Sequence, residues 1–430
     1  MNGAVLAFVA LFAVLIAGIP IGYAMAVVGT VAFGLTIGWG AALNQVGNLV
    51  ADTALSYNLS VLPLFVLMGS LFARAGMAED LYAAANSMMG HRRGGLAMAT
   101  IFACGGFSAV SGSALACAAT MSKVSVPVMR RYGYAPGFAA GTVAAGATLD
   151  ILIPPSLTMV IYAIITEISL GKIMIAGFLP GLLAIGLFVL AIRAITTWRP
   201  DLGPVAARSS WPERLRSLRV VMPIVLLFAF VLGGIYFGVF SANEAAGIGA
   251  FASIALAVVR RRVGWAMLLD ALVDAARISA MLFVVLFGSM IFANYVTISG
   301  ATQIFSAWVN GFALSQYELI GFMLLVYVLL GCVVEGTAML LLTVPILLPV
   351  VVAAGIDPIW FGIFVIIMGG VGLIHPPLGL LLFVVKAAVP DIKLSSIVYG
   401  VLPYLVAEAV LLLCIIVFPG IVTIAPQMLK

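Results

Sequence analysis

From Ala4 to Phe418 the chain is one apolar run after another, and its first Lys or Arg is Arg74. A helix needs roughly 20 apolar residues to cross the hydrocarbon core of a bilayer. Only helices and closed barrels satisfy every backbone group in lipid. Barrel strands would alternate in hydropathy with a period of two, which these unbroken runs do not. The expected fold class is therefore an all-α polytopic membrane protein. Composition agrees, with 64% hydrophobic and 8% charged residues, against about 25% charged in a soluble domain. The N-terminal run lacks a basic flank and reads as a first, retained transmembrane helix.

Several functions are excluded early. The net charge of +5 reads as basic loops on one membrane face and not as a nucleic-acid partner. Cys104, Cys117, Cys332 and Cys414 form no CxxC pair and read as small buried hydrophobes. Two histidines, His91 and His375, lie far apart in sequence, which argues against a multi-histidine metal site. No P-loop, dinucleotide fingerprint or GxSxG motif is present, so no organic cofactor is expected.

The chain repeats itself. Pro127, Gly133, Pro136, Pro154 and Pro155 recur at one offset as Pro349, Gly355, Pro358, Pro376 and Pro377, and Gly69-Ser70 recurs as Gly288-Ser289. Residues 1–198 read as a first repeat, 199–219 as a polar, basic linker, and 220–430 as a second repeat. Each half reads as two helices (4–19 and 21–38; 220–239 and 241–259), a short interfacial stretch and a third helix (59–75; 278–297). An amphipathic segment follows (79–90; 299–313), then a glycine-interrupted hairpin (94–129; 318–352). An interrupted helix (138–166; 359–386) and a last helix (173–193; 395–418) complete the half. If each hairpin is re-entrant, each half crosses five times, and the second half is inverted.

Charge agrees with inversion. With both termini periplasmic, every Lys and Arg except Lys172 and Lys430 falls inside, including the linker 199–219. Between Arg277 and Lys386 there is no basic residue, and the loops there carry Glu318 and Asp357 where the first half has Arg92-Arg93 and Arg130-Arg131. Basic loops belong to the cytoplasmic face.

Two pairs of segments carry the chemistry. The tips GGFSAVSGSALACAAT (105–120) and VVEGTAMLLLTVP (333–345) combine Gly112 or Gly336 with hydroxyls or a carboxylate. A helix stopped in lipid leaves N–H and C=O groups without partners, and they must face protein or a polar cavity. Carbonyls and hydroxyls suit a small cation, and helix N-termini attract an anion. The competing reading is a small-residue packing face. The proline pairs in ATLDILIPPSLTMVIYA (147–163) and GGVGLIHPPLGLLLFVV (369–385) remove N–H donors and break each helix, unless they are plain kinks. Four broken elements meeting near the midplane form the architecture of a secondary transporter.

Three ionisable residues fall at these breaks, where lipid makes them expensive. Asp150 would ligate a cation, hold a proton or partner a serine. Glu335 sits at the second tip. His375 precedes the second proline pair and would donate to an anion, titrate near neutral pH or be a satisfied buried histidine. Neither broken segment carries Lys or Arg at its break, so an anionic substrate would be held by helix dipoles, hydroxyls, His375 and co-bound cations.

The runs VSGSALACAAT, LDILIPPS, SANEAAGIGA, VVEGTAMLLLTVPILLPVV, GIDP and HPPLGLLLFV resemble the large membrane subunit of TRAP (tripartite ATP-independent periplasmic) transporters, in order, over nearly the whole chain. The resemblance implies the ion-transporter superfamily fold: an elevator-type protein with a scaffold and a transport domain bearing two re-entrant hairpins. It implies import of an organic anion, a carboxylate such as a C4-dicarboxylate, keto acid or sugar acid, across the bacterial inner membrane with co-transported Na+. The implied partners are a small four-helix membrane subunit, a periplasmic substrate-binding protein and membrane lipid. Carried over by motif, one sodium site draws on Ser108, Ser111, Gly112, Ser113 and the backbone near Pro154, Pro155 and Ser156, with Asp150 beside it. The other draws on Glu335, Gly336, Thr337 and the backbone near Pro376 and Pro377. Ser111, Gly112, Ser113, Ser156, Glu335, Gly336, Thr337 and His375 are the expected substrate contacts. The chain departs from the family pattern at Asp150 (usually glycine), Gly336 (usually proline) and His375 (usually threonine). The alternatives are a stand-alone ion- or proton-coupled carboxylate carrier of the same superfamily, an intramembrane enzyme, which lacks a nucleophile–base pairing, and a passive channel, which needs a continuous polar pore.

Overall fold

The computed structural model describes residues 2–428 other than Val263, Ala313, Val333 and Leu378, and leaves aside the side chains of Asn2, Asn58 and Asn310. Lys430, placed outside the membrane by the charge argument, lies beyond the described residues. The described chain is all-helical.

The first half opens with α1 (Asn2–Ile16) and α2 (Ile21–Ile37), divided at Gly18 and Pro20. The next helix, α3 (Trp39–Ala54), occupies what hydropathy reads as a short interfacial stretch. Its polar residues Asn44, Asn48 and Asp52 recur every fourth position, which puts them on one face of a surface helix. Then come α4 (Val61–Arg74) and α5 (Met77–Met89), bent by 66° at Gly76, whose φ of 69° suits glycine. Arg262 fixes this elbow from the other half, donating to Ala75 O (3.1 Å), Gly76 O (3.2 Å) and Asp80 (2.8 Å). Four shorter helices follow: α6 (Gly95–Ser111), α7 (Ala114–Arg131), α8 (Pro136–Thr148) and, after a 3-10 turn at Leu149–Ile151, α9 (Leu157–Thr166). The long α10 (Leu170–Trp198) closes the half.

The second half runs α11 (Trp211–Tyr236), α12 (Ala242–Val259), α13 (Trp265–Ile298), α14 (Ala301–Gly311), α15 (Gln316–Gly331), α16 (Gly336–Ala353), α17 (Pro358–Ile374), α18 (Leu380–Ala388), α19 (Leu394–Val417) and α20 (Gly420–Gln427). Helix α11 starts inside the stretch read as linker, because Ser210 and Glu213 form a capping box there. The same device, Ser241 with Glu244 and Ser315 with Glu318, starts α12 and α15. In α13 the interfacial stretch and the third helix of the half are fused into 34 residues.

Among the described residues, six helices are long and apolar enough to cross a membrane, and the bent pair α4–α5 makes a seventh if taken as one span. This is fewer than five per half. Hydropathy runs straight through the breaks, whereas α1, α2 and the half-helices on either side of each break are individually short.

Two apolar clusters organise the packing. The larger joins α4 to α10 with α15 to α19; the smaller joins α1 and α2 to the C-terminal part of α13 and to α16. Helices meet closely where glycine permits. A Cβ on Gly288 of α13 would lie 2.0 Å from Gly22 O of α2, and one on Gly141 of α8 would lie 2.4 Å from Gly400 C of α19. Small residues at such crossings let backbones touch, which is how membrane helices gain packing energy.

Candidate functional site

The first tip is built by one residue in the left-handed region. Helix α6 ends at Gly112, with φ 59°, and Ser113 then caps α7, its side chain accepting from Ala116 N at 3.3 Å. The chain thus stops one helix and starts another within two residues, and α6 and α7 pack against each other. Ser111 is buried, and its hydroxyl donates to Asp150 Oδ1 at 3.3 Å. Ser108 is turned into the α6–α7 seam, where its hydroxyl faces Cys117 Sγ at 3.8 Å.

The first break receives this tip. From Asp150 to Ser156 the chain is buried, and a Cβ on Gly112 would lie 3.4 Å from Pro155 O. Ser111, Gly112, Asp150 and Pro155 are therefore brought together. Ser156 Oγ is buried with no hydrogen-bond partner among the described residues, although it stands at the N-cap of α9. An orphaned hydroxyl is costly unless something polar meets it. Carbonyl, hydroxyl and carboxylate oxygens of this kind are hard donors suited to a small cation. Among the described residues no cluster of three His, Cys, Asp or Glu is present.

The second tip differs in its cap. Glu335 is exposed and is the N-cap of α16, its carboxylate accepting from Thr337 N and Ala338 N at 3.1 Å each. Glu335 thus stands where Ser113 stands in the first tip, and it occupies the N–H groups that an anion would seek. Gly336 begins α16 against α17, where a Cβ would lie 2.9 Å from Gly369 O. At the second break, His375 is half-buried and its Nδ1 lies 3.5 Å from Cys332 Sγ. Pro376 is half-buried and Pro377 exposed, in contrast to the buried Pro154 and Pro155. Both proline pairs are joined by cis peptide bonds.

The four broken elements assemble across the two halves. Helix α16 packs on α9, α18 packs on α7, and α17 packs on the 3-10 turn that carries Asp150. Tyr162 of α9 donates to Pro358 O at the start of α17 at 2.6 Å, and Ile151 seats over Gly370.

One ionisable residue escaped the sequence reading. Glu408, in the middle of α19, is 4% exposed, and its Oε1 lies 2.9 Å from Thr148 Oγ1, directly before the first break. A lone carboxylate inside a 24-residue apolar helix was the signal available.

The comparisons with known proteins agree over nearly the full chain. The family described as "Tripartite ATP-independent periplasmic transporter, DctM component" matches residues 8–421. The C4-dicarboxylate TRAP transporter large permease protein of Pseudomonas aeruginosa is 36% identical, covering 88% of this chain and 88% of that protein. The sialic acid TRAP transporter large permease protein of Vibrio cholerae is 31% identical, covering 96% of each. The 2,3-diketo-L-gulonate TRAP transporter large permease protein of Escherichia coli is 29% identical, covering 92% of this chain and 96% of that protein. The crystal structure of the YdaH transporter of Alcanivorax borkumensis aligns with a TM-score of 0.62 at 16% identity, over 89% of this chain and 90% of that one, a likeness of fold. The relatives are transporter permease subunits, not enzymes. With its broken helices meeting in the core and a family match from end to end, the chain belongs to the tripartite ATP-independent periplasmic transporters, as their large permease component.

Proposed function

We propose that this chain is the transport subunit of a sodium-coupled importer of an organic anion in the bacterial inner membrane. A separate four-helix membrane subunit and a periplasmic binding protein complete the system. The relatives carry a C4-dicarboxylate, sialic acid and 2,3-diketo-L-gulonate; all are carboxylates, and that is the cargo class assigned here. In this reading the pairs α6–α7 and α15–α16 are re-entrant hairpins, from the cytoplasm and the periplasm respectively. The two halves are inverted copies, both termini are periplasmic, and the stretch 199–219 is cytoplasmic. The hairpins and broken helices move as one body against α1–α4 and α11–α13.

The single observation that carries the reading is the seating of each tip on its own break: Gly112 on Pro155 and Ser111 on Asp150 in one half, Cys332 on His375 and Gly336 on α17 in the other. Stopped helices with oxygen-rich ends in the core of a membrane protein are the setting for ion and anion binding. The first cation would lie among Ser111, Gly112, Ser113, Asp150 and the Pro154–Ser156 backbone, with Ser108 behind it. The second would lie among Glu335, Gly336, Thr337 and the Pro376–Pro377 backbone. The carboxylate would lie between the tips, facing the α7 N-terminus, Ser156, His375 and the Thr337 hydroxyl, since Glu335 already holds the α16 N–H groups.

Proteoliposomes test this. Uptake of radiolabelled C4-dicarboxylate, sialic acid or keto acid should require a sodium gradient, the small subunit and a binding protein. Sodium-independent uptake by this chain alone would move the assignment to a stand-alone carrier.

A further inference from the structure

The α8–α19 seam holds a buried acid that the sodium and substrate sites do not use. Glu408 Oε2 has no hydrogen-bond partner among the described residues. Its Oε1 faces Thr148 Oγ1 at 2.9 Å, and that same hydroxyl lies 2.7 Å from Ala145 O. Thr148 has one hydrogen to give. Were Glu408 an ionised carboxylate, two acceptors would compete for it. Were Glu408 to carry a proton, the geometry resolves into a chain: Glu408 O–H donates to Thr148, and Thr148 donates to Ala145 O.

Among the described residues no cation faces this acid. Among the elements packed on α19, α8, α17 and α20 carry no titratable group. On α10 there are only Lys172 and Arg193 near its ends, and on α18 only Lys386 in the last turn; the 3-10 turn that follows α8 carries only Asp150. Helix α19 itself adds Tyr399, Tyr404 and Cys414. An ionised carboxylate buried without a partner costs several kcal/mol or more.

The same seam ends at open space, about two turns from Glu408. One turn before Glu408, and on the same face, Tyr404 shares a hydrogen with Thr142 Oγ1 at 2.7 Å. Beyond them, a cavity of about 1010 Å³ is lined by Gly137, Ser396, Gly400 and Pro403, at the end of the seam assigned above to the cytoplasm.

From this geometry we propose that Glu408 is a proton-binding site, loaded and emptied from the cytoplasmic cavity along the α8–α19 seam. On release, the Glu408 O–H bond breaks, the proton passes to water admitted along the seam from the cavity, and the carboxylate accepts the hydrogen bond that Thr148 had given to Ala145 O. Reloading reverses each step. Because Thr148 is the last residue of α8, this exchange alters the turn that leads into Asp150 and the first break. The side of access rests on the transporter orientation given above; the site itself does not.

Infrared difference spectra of the full chain in lipid, recorded as pH is stepped in H2O and D2O, test it without any cargo. A protonated-carboxyl C=O band should appear and vanish with pH, shift in D2O, survive Asp150→Asn, and be lost completely in Glu408→Gln. Thr148→Val should move its frequency, a readout that stands if Glu408→Gln fails to fold. A pH-insensitive band, or one that Glu408→Gln leaves in place and Thr148→Val leaves unmoved, overturns the proposal. Failure of the uptake experiment with this band present would sink the transport reading and leave the proton site standing.

Discussion

Gly69 of α4 should be the position where one methyl group most disturbs transport. A Cβ there would lie 2.3 Å from Ser111 O and 2.6 Å from Ser111 Cα, where ordinary contact begins at 3.4 Å. Gly69→Ala therefore requires α4 and the first tip to separate by about 1 Å, and both sides of the contact are backbone, so no rotamer change relieves it. Overpacking of this kind costs about 1–3 kcal/mol. In the proposed mechanism α4 belongs to the scaffold and the tip to the moving body. The contact then exists in this arrangement and is broken in the other, and the cost becomes a shift of roughly 5–150-fold between them. Ser111→Cys is a reporter for that shift, because Ser111 is buried at the contact. With the four native cysteines replaced, its reactivity toward a membrane-impermeant thiol reagent should rise by about that factor in the Gly69→Ala background, with a matching loss of uptake rate in Gly69→Ala alone, where Ser111 is intact. Unchanged reactivity together with normal uptake would refute the reasoning.

Other outcomes follow from the same contacts. Ser111→Ala strips a buried carboxylate oxygen of its donor; it should lower thermal stability by about 1–3 kcal/mol and abolish sodium-dependent uptake, read by melting and by tracer flux. Glu335→Ala removes the α16 cap and should cost about 0.5–2 kcal/mol. Glu335→Gln keeps an acceptor and should melt near wild type while uptake falls, if the carboxylate serves the second cation. Arg130 donates to Asp391 and is the main reason that carboxyl sits below the usual range. A lowered folded value means that the link contributes at neutral pH and is lost as pH falls through it. Melting curves of Arg130→Met and wild type should therefore differ at pH 7 and converge in acid.

The class of the fold and the positions of its breaks were legible because both rest on strong local chemistry. Proline pairs cannot continue a helix, and a glycine flanked by serines in an apolar run has few other uses, so Gly112 and Pro154–Pro155 were found by inspection. Three features were less legible. Helix α3 was missed because its apolar face is too weak to register in a hydropathy run, although the spacing of Asn44, Asn48 and Asp52 is helical. The roles of Glu335 and Asp150 could not be separated in sequence. The structure puts one on backbone N–H groups as a cap and the other on Ser111, and that difference depends on where the neighbouring chain turns. Glu408 lies in an unbroken apolar helix with no helix stop or proline pair to mark it; its partner, Thr148, is 260 residues away in the chain, and only the α8–α19 crossing brings them together.

The central claim is that cation and cargo are held where the tips meet the breaks. Crystals of the transporter grown with thallium in place of sodium test it most directly, through anomalous difference maps. The account predicts peaks at the Ser111–Pro155 junction and at the Glu335–Pro376 tip, both weakened by excess sodium. Peaks confined to other parts of the molecule, in a preparation that still shows sodium-driven uptake, would contradict it.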